Sequence, residues 1–263
     1  MSFSDSFSKR ENIAFEKYYG SGSTFHQQWR RRSNSAFFRG SLSDCSSLSV
    51  HGGGLNYCAR AKVILEAARG ESTLLSDIKL VKGTYPFDEL NKCSLCKGDK
   101  LGGAEFVDEF HKHKYVINFA GAGNWSRRLS LLLRSGGMIV HAESPGYQFY
   151  DFRLKPGVHY LPFDPEIGHS GAGNLISRLE WARSNDNLAE EIAHRSRTFG
   201  RLCLGEQSID YFVTKLLEEY GALLRGDIEE ESMIGLSSCF CGNKVGRCKP
   251  AKLCKGVIDK CWY

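Results

Sequence analysis

A glycine turn followed by a serine and arginines is the most chemically informative stretch of the sequence. Gly121 and Gly123 follow the apolar run at 115–119, and Ser126 and Arg128 come next in the chain. Glycine lets the backbone turn sharply and approach an oxygen-rich ligand closely. A hydroxyl, a guanidinium and the open amides of a helix N-terminus together suit an anion. This spacing predicts a phosphate-binding turn.

The elements around the turn must be a strand, a helix and a second strand. The β-branched and aromatic residues at 115–119 favour a strand. From Trp125 onward the leucines recur at helical spacing, and the Gly136-Gly137 pair ends that helix before the apolar run at 138–140. The order predicts a βαβ half-unit and therefore an α/β fold.

Two further groups of polar residues flank short apolar runs. One is the Arg-Gly-Ser sequence that ends the strand predicted near Phe37, and the other is His159 in the run at 154–163. Ligands in open α/β sheets bind beyond the carboxyl ends of the strands. We expect His159 to lie near such an end. The candidate binding residues of the first group are Arg39, Gly40, Ser41 and Ser43.

Charge and hydropathy argue against nucleic-acid binding spread over the main body and against a transmembrane helix. The last 31 residues hold six basic residues against Asp259, so they carry the whole net charge of +5. A neutral body argues against a spread nucleic-acid footprint. No apolar run approaches the roughly 20 residues of a transmembrane helix. The first 20 residues also lack the apolar core of a signal peptide.

The composition divides the chain into three parts. Residues 1–35 form a polar lead-in, 36–226 form the main domain, and 227–263 form an acidic break and a basic, cysteine-rich tail. The run from Trp29 to Arg32 fits either an anion-binding patch or a solvated charge run, and the second interpretation is favoured. The apolar stripe at 209–220 predicts a core-facing helix. Cys93 and Cys96 predict a local disulfide or two thiols, because a zinc site needs a second pair.

Two other functions fit parts of the sequence. In an NAD-dependent oxidoreductase, Glu143 would bind the ribose, since it lies 20 residues after Gly123 at the end of the next strand. Ser126 stands where that motif has its third glycine. Alternatively, the chain is a noncatalytic, disulfide-rich binding module in which the cysteine tail is the working part.

Several motifs together carry a family resemblance. They are QWRRRSNSAFFRGSLSD, HKYVINFAGAGNWSRRLSLLLRSGGMIVHA, LKPGVHYLPF, RLEWARSNDNLAEEIAHRSRTF and IDYFVTKLLEEY, in that order. Over residues 28–224 the chain resembles the C-terminal half of the capsule-associated glycosyltransferases, which include the Rumi-type protein O-glucosyltransferases. The tail lies outside the resemblance.

The resemblance implies a two-lobed GT-B fold of paired Rossmann-like domains, with this chain supplying the C-terminal lobe. It implies a UDP-sugar donor, UDP-glucose or UDP-xylose, and a protein or glycan hydroxyl as acceptor, in the endoplasmic reticulum or Golgi lumen. Arg39, Gly40, Ser41 and Ser43 would contact the donor. Ser126 and Arg128 would contact its diphosphate. No cofactor and no metal are expected, because arginine can neutralise the leaving group.

The resemblance leaves the catalytic residue unassigned. In relatives an aspartate upstream of the Arg-Gly-Ser strand acts as the general base, in the N-terminal lobe. Only 38 residues precede Arg39, and none resembles that lobe. We therefore expect a partial chain, with the N-terminal lobe largely absent, that binds the donor but turns it over poorly.

Overall fold

The computed structural model describes residues 9–19, 22–42, 58–70, 72–101, 103–119, 127–142, 148–165 and 173–225. These residues fall into two compact units. The larger comprises Ser8–Thr198 and contains every described strand, and the described part of the smaller is the helical segment from Phe199 onward. Within the described residues, no helix has the length and apolar character needed to cross a bilayer.

The larger unit is built on a six-stranded, fully parallel sheet. Its strands are β1 (Ser33–Gly40), β2 (Asp77–Val81), β3 (Lys97–Gly98), β4 (His113–Asn118), β5 (Met138–Ala142) and β6 (Leu161–Phe163). Their order across the sheet is β3-β2-β1-β4-β5-β6, and each neighbouring pair runs in parallel. The α/β class predicted from the sequence is confirmed, and the strand order is that of a Rossmann-like lobe.

Helices of the larger unit cover both faces of this sheet. The nine described α-helices are α1 (Lys9–Tyr19), α2 (Phe25–Arg30), α3 (Ala59–Arg69), α4 (Asp88–Lys92), α5 (Gly103–Lys112), α6 (Arg127–Ser135), α7 (Leu175–Ser184), α8 (Asp186–Cys203) and, in the smaller unit, α9 (Glu206–Arg225). Side chains from α3, α7 and α8 share one core cluster with Phe38, Ile117 and Val140. Phe37, on the opposite face of β1, packs on Phe106 and Phe110 of α5. A parallel sheet buried on both faces explains why β4 is fully buried.

The predicted strand–turn–helix–strand order is confirmed at its described elements. β4 ends at Asn118, α6 ends at Ser135, and β5 begins at Met138. Gly136 ends the helix with φ of +71°, a conformation that glycine adopts without steric strain. The glycine turn itself, at 120–126, lies outside the described residues.

The apolar stripe of α9 does not form the core that the sequence indicates. Ile209 is buried, but Leu216, Leu217 and Tyr220 are 55%, 62% and 57% exposed. The interpretation of the stripe as core packing is therefore wrong for its C-terminal half. Helical spacing shows that apolar residues share a face, but it does not show whether another element covers that face.

Candidate functional site

The candidate site lies at the carboxyl edge of the sheet, between β1 and β4. The chain order of the strands reverses there, since β1 is followed by β2 on one side and has β4 as its neighbour on the other. Open α/β sheets bind ligands in the crevice at this switch point. The backbone leaves β1 at Gly40 and Ser41, and it leaves β4 at Phe119. Arg128 stands in the first turn of α6.

Arg128 reaches across the end of β1. Its guanidinium carbon lies 4.7 Å from the centroid of the Phe38 ring. A β-carbon built at Gly40 would lie 2.8 Å from a terminal nitrogen of Arg128 and 2.9 Å from the Phe38 ring. Since real side chains do not approach so closely, only glycine at position 40 leaves room for this arrangement.

A second arginine, Arg60, approaches the same aromatic floor from the first turn of α3. It is only 2% exposed, and its guanidinium carbon lies 5.6 Å from the ring centroids of both Phe38 and Phe119. One of its terminal nitrogens donates a hydrogen bond to the carbonyl oxygen of Ser41. Two guanidinium groups from two helix starts therefore concentrate positive charge at the switch point.

The sequence interpretation missed Arg60, although a signal for it exists. Arg60, Val63 and Ile64 occupy positions i, i+3 and i+4 of a helix, so they share a face. The two apolar members predict that this face is buried. A buried arginine needs hydrogen-bond acceptors, so an arginine on a buried helix face is a candidate for a polar site. Arg60 has such an acceptor in the carbonyl oxygen of Ser41.

The structure directs Arg39 away from this edge. Alternation along β1 places Phe38 and Gly40 on one face and Phe37 and Arg39 on the other. The guanidinium of Arg39 pairs with the Asp77 carboxylate at 2.6 Å and lies 5.1 Å from the centroid of the Phe37 ring. Gly40 and Ser41 lie at the switch point, whereas the guanidinium of Arg39 is engaged in the ion pair with Asp77.

His159 occupies the opposite end of its strand from the one expected. β6 starts at Leu161, so His159 precedes the strand and lies at its amino end. Its Nδ1 accepts a hydrogen bond of 3.1 Å from the backbone N–H of Lys155. Burial lowers the pKa of His159, and the charges of Lys155 and Arg195 lower it further. These contacts give His159 a role in closing the turn at 155–160.

Two other polar residues occupy the carboxyl ends of β4 and β5. Asn118 is almost fully buried and is the register partner of His141. Asn118 Nδ2 lies 3.0 Å from His141 Nδ1, and the His141 ring packs edge-on against Tyr160 with centroids 5.2 Å apart. Polar residues that end apolar strand runs are a signal that the sequence interpretation did not use.

Five of the predicted site residues lie outside the described part of the chain. The geometry above neither supports nor opposes them. Their assignments stay predictions from the sequence. They are Ser43, Gly121, Gly123, Ser126 and Glu143.

The fold is a parallel α/β lobe of the Rossmann-like kind, and two arginines lie together at its switch point. Comparison of the sequence with protein families makes the assignment specific. The family model described as Glycosyl transferase family 90 matches residues 21–239. The chain belongs to this family of glycosyltransferases, which confirms the resemblance found in the sequence.

The curated relatives are named as protein O-glucosyltransferases. Human Protein O-glucosyltransferase 1 is 28% identical over 200 residues, which cover 74% of this chain and 44% of the relative. Protein O-glucosyltransferase 2 of Danio rerio is 30% identical over 147 residues, covering 53% of this chain and 28% of the relative. O-glucosyltransferase rumi of Drosophila melanogaster is 27% identical over 207 residues, covering 78% and 44%. The chain thus spans less than half the length of these relatives.

Proposed function

We propose that this chain forms the donor-binding lobe of a protein O-glucosyltransferase. The donor is a UDP-sugar, with glucose or xylose as the transferred sugar, and the acceptor is a hydroxyl of a protein or glycan. The observation that carries the proposal is the convergence of Arg60 and Arg128 on the aromatic floor at the switch point. Family membership favours this function over the NAD-dependent oxidoreductase and the noncatalytic module.

The arginine pair suits the diphosphate of the donor. A guanidinium offers paired N–H donors that match two phosphate oxygens, and it keeps its charge at every physiological pH. The buried rings of Phe38 and Phe119 exclude water beneath the two guanidinium groups. The attraction between each guanidinium and a phosphate is therefore stronger than in bulk solvent. The negative charge on UDP rises as the bond to the sugar breaks. Arginines held at that point stabilise the leaving group.

In this proposal the chain binds the donor, and transfer of the sugar requires the whole enzyme. The general base that activates the acceptor hydroxyl is not assigned to any residue of this chain. The donor site needs no metal, because arginine supplies the positive charge. Residence in the endoplasmic reticulum or Golgi lumen is also part of the proposal. Its support is the Cys93–Cys96 disulfide, since such bonds persist in oxidising compartments.

Calorimetric titration with UDP tests the site. A charge-assisted hydrogen bond contributes about 1.5–3 kcal/mol, so Arg128→Gln should weaken UDP binding by about tenfold to a hundredfold. Arg60→Gln should weaken it similarly, with thermal unfolding checking that the buried position tolerates the change. Arg195→Gln is the matched control, because Arg195 is half-exposed and pairs with Glu191 on α8. UDP affinity that Arg128→Gln leaves unchanged would contradict the proposal, and so would tight NAD binding without UDP binding.

A further inference from the structure

A second cluster of potential ligand atoms lies on the sheet face that carries α5. Asp77 is the first residue of β2, His113 is the first residue of β4, and Glu109 lies one helical turn before His113. His113 Nε2 is 3.5 Å from Asp77 Oδ2 and 3.9 Å from Glu109 Oε2. All three ligand atoms lie within 4.8 Å of one another.

Each carboxylate keeps the oxygen that faces His113 available by engaging its other oxygen elsewhere. Asp77 Oδ1 accepts from Arg39 at 2.6 Å, and Glu109 Oε1 accepts from Lys112 at 2.5 Å. The two carboxylates are therefore held in position.

The imidazole of His113 is held in the same way. Its Nδ1 lies 2.8 Å from the Ser35 hydroxyl, which leaves Nε2 directed at the two carboxylates. Metal-binding histidines are commonly oriented through their other ring nitrogen by such a partner. The ring is nearly buried, while both carboxylate side chains remain 24% exposed, so an ion and water can reach the cluster.

The three atoms are spaced more widely than the optimum for direct hydrogen bonds, which leaves room for a metal ion between them. Hydrogen bonds between nitrogen and oxygen span about 2.7–3.2 Å, which is shorter than both distances from Nε2. Ligand atoms bound at about 2.0–2.2 Å around one metal ion lie roughly 3.3 Å apart in tetrahedral geometry. Rotation of the two partly exposed carboxylates would close the remaining gap.

We propose that Asp77, Glu109 and His113 bind a divalent transition-metal ion such as Zn²⁺, with water completing its coordination. One imidazole and two carboxylates are ligands that zinc accepts in proteins. The ion would join the start of β2, the start of β4 and the end of α5. Its role is structural, and it is independent of the donor site proposed for the arginines. The nearby charges of Arg39 and Lys112 predict weaker binding than in a site with four protein ligands.

Titration with Co²⁺, followed by visible absorption, tests this site in the oxidised full chain. We expect one Co²⁺ per chain, with the spectrum of nitrogen and oxygen ligands and no sulfur-to-cobalt charge-transfer band. Glu109→Gln should weaken binding at least tenfold, and Ser35→Ala by about tenfold as expected for an orienting partner. His26→Gln is the matched control, because His26 pairs with Glu190 through one nitrogen elsewhere on the surface.

Three results would overturn the metal site. They are no binding of Co²⁺ at millimolar concentration, equal binding by wild type and Glu109→Gln, and a spectrum dominated by sulfur ligands. His113→Gln should abolish binding, but its buried position can also destabilise the fold. Glu109→Gln keeps the test decisive, because Glu109 is a partly exposed helix residue.

Discussion

Replacing Gly40 by alanine should displace Arg128 without breaking the fold. The new methyl group would lie 2.8 Å from a terminal nitrogen of Arg128 and 2.9 Å from the Phe38 ring, where attractive contacts require about 3.5 Å or more. Both neighbours are the far ends of side chains, which can move. Gly40 is not among the described glycines with positive φ, so alanine suits its backbone.

The expected magnitudes separate stability from binding. Overfilling a packed site costs about 1–3 kcal/mol, and we expect the lower end because both neighbours can shift. Arg128 would lose a charge-assisted hydrogen bond to the diphosphate of about 1.5–3 kcal/mol. Each 1.4 kcal/mol or so corresponds to tenfold in affinity, so UDP should bind about tenfold more weakly or worse.

Gly98→Ala is the matched control for this prediction. A β-carbon at Gly98 would lie 2.8 Å from the guanidinium carbon of Arg39, on the other face of the sheet. Calorimetry should show weaker UDP binding for Gly40→Ala and unchanged binding for Gly98→Ala, with both proteins folded at 25 °C. If Gly98→Ala weakens binding and Gly40→Ala does not, Arg39 rather than Arg128 holds the donor and our reasoning fails.

Three further predictions concern stability and covalent structure. Buried Arg32 donates hydrogen bonds to the carbonyl oxygens of Phe110, His113 and Ser135. Arg32→Met should therefore lower the free energy of unfolding by about 3 kcal/mol or more, whereas Arg31→Met, at an exposed position, should not. Equal effects of the two substitutions in denaturant titrations would refute this. The pKa of His159 is lowered below 6.5, so the unfolded state binds more protons below that pH. Wild type should therefore lose stability relative to His159→Gln as pH falls through this range, and parallel pH profiles would contradict the assignment. Non-reducing peptide mapping should find Cys93 joined to Cys96, and two free thiols there would contradict the structure.

Local patterns predicted the central half-unit because its signals are local. A β-branched run, a glycine pair and a leucine stripe each act within one element, and together they specified β4, α6 and β5. The strand order, in contrast, depends on pairing between residues far apart in sequence. Only the sheet showed that Gly40 and Phe119 flank one switch point.

The arginines show why side-chain roles were harder to predict. Arg39 adjoins the predicted binding glycine, but strand alternation turns it toward Asp77. Arg60 lies in a helix with no evident motif, yet packing brings it to the site. Arg32 lies in an arginine run that indicates a solvated surface, yet it is buried and donates hydrogen bonds to three carbonyl oxygens. The partner of each of these arginines depends on the tertiary fold and could not be predicted from local sequence.

The central claim is that the switch point holds the diphosphate of a UDP-sugar. The crystal structure of the chain with UDP tests this claim most directly. We predict diphosphate oxygens within hydrogen-bond distance of Arg128 and Arg60, above the Phe38 ring. UDP bound elsewhere on the chain, with both guanidinium groups free of it, would contradict the account.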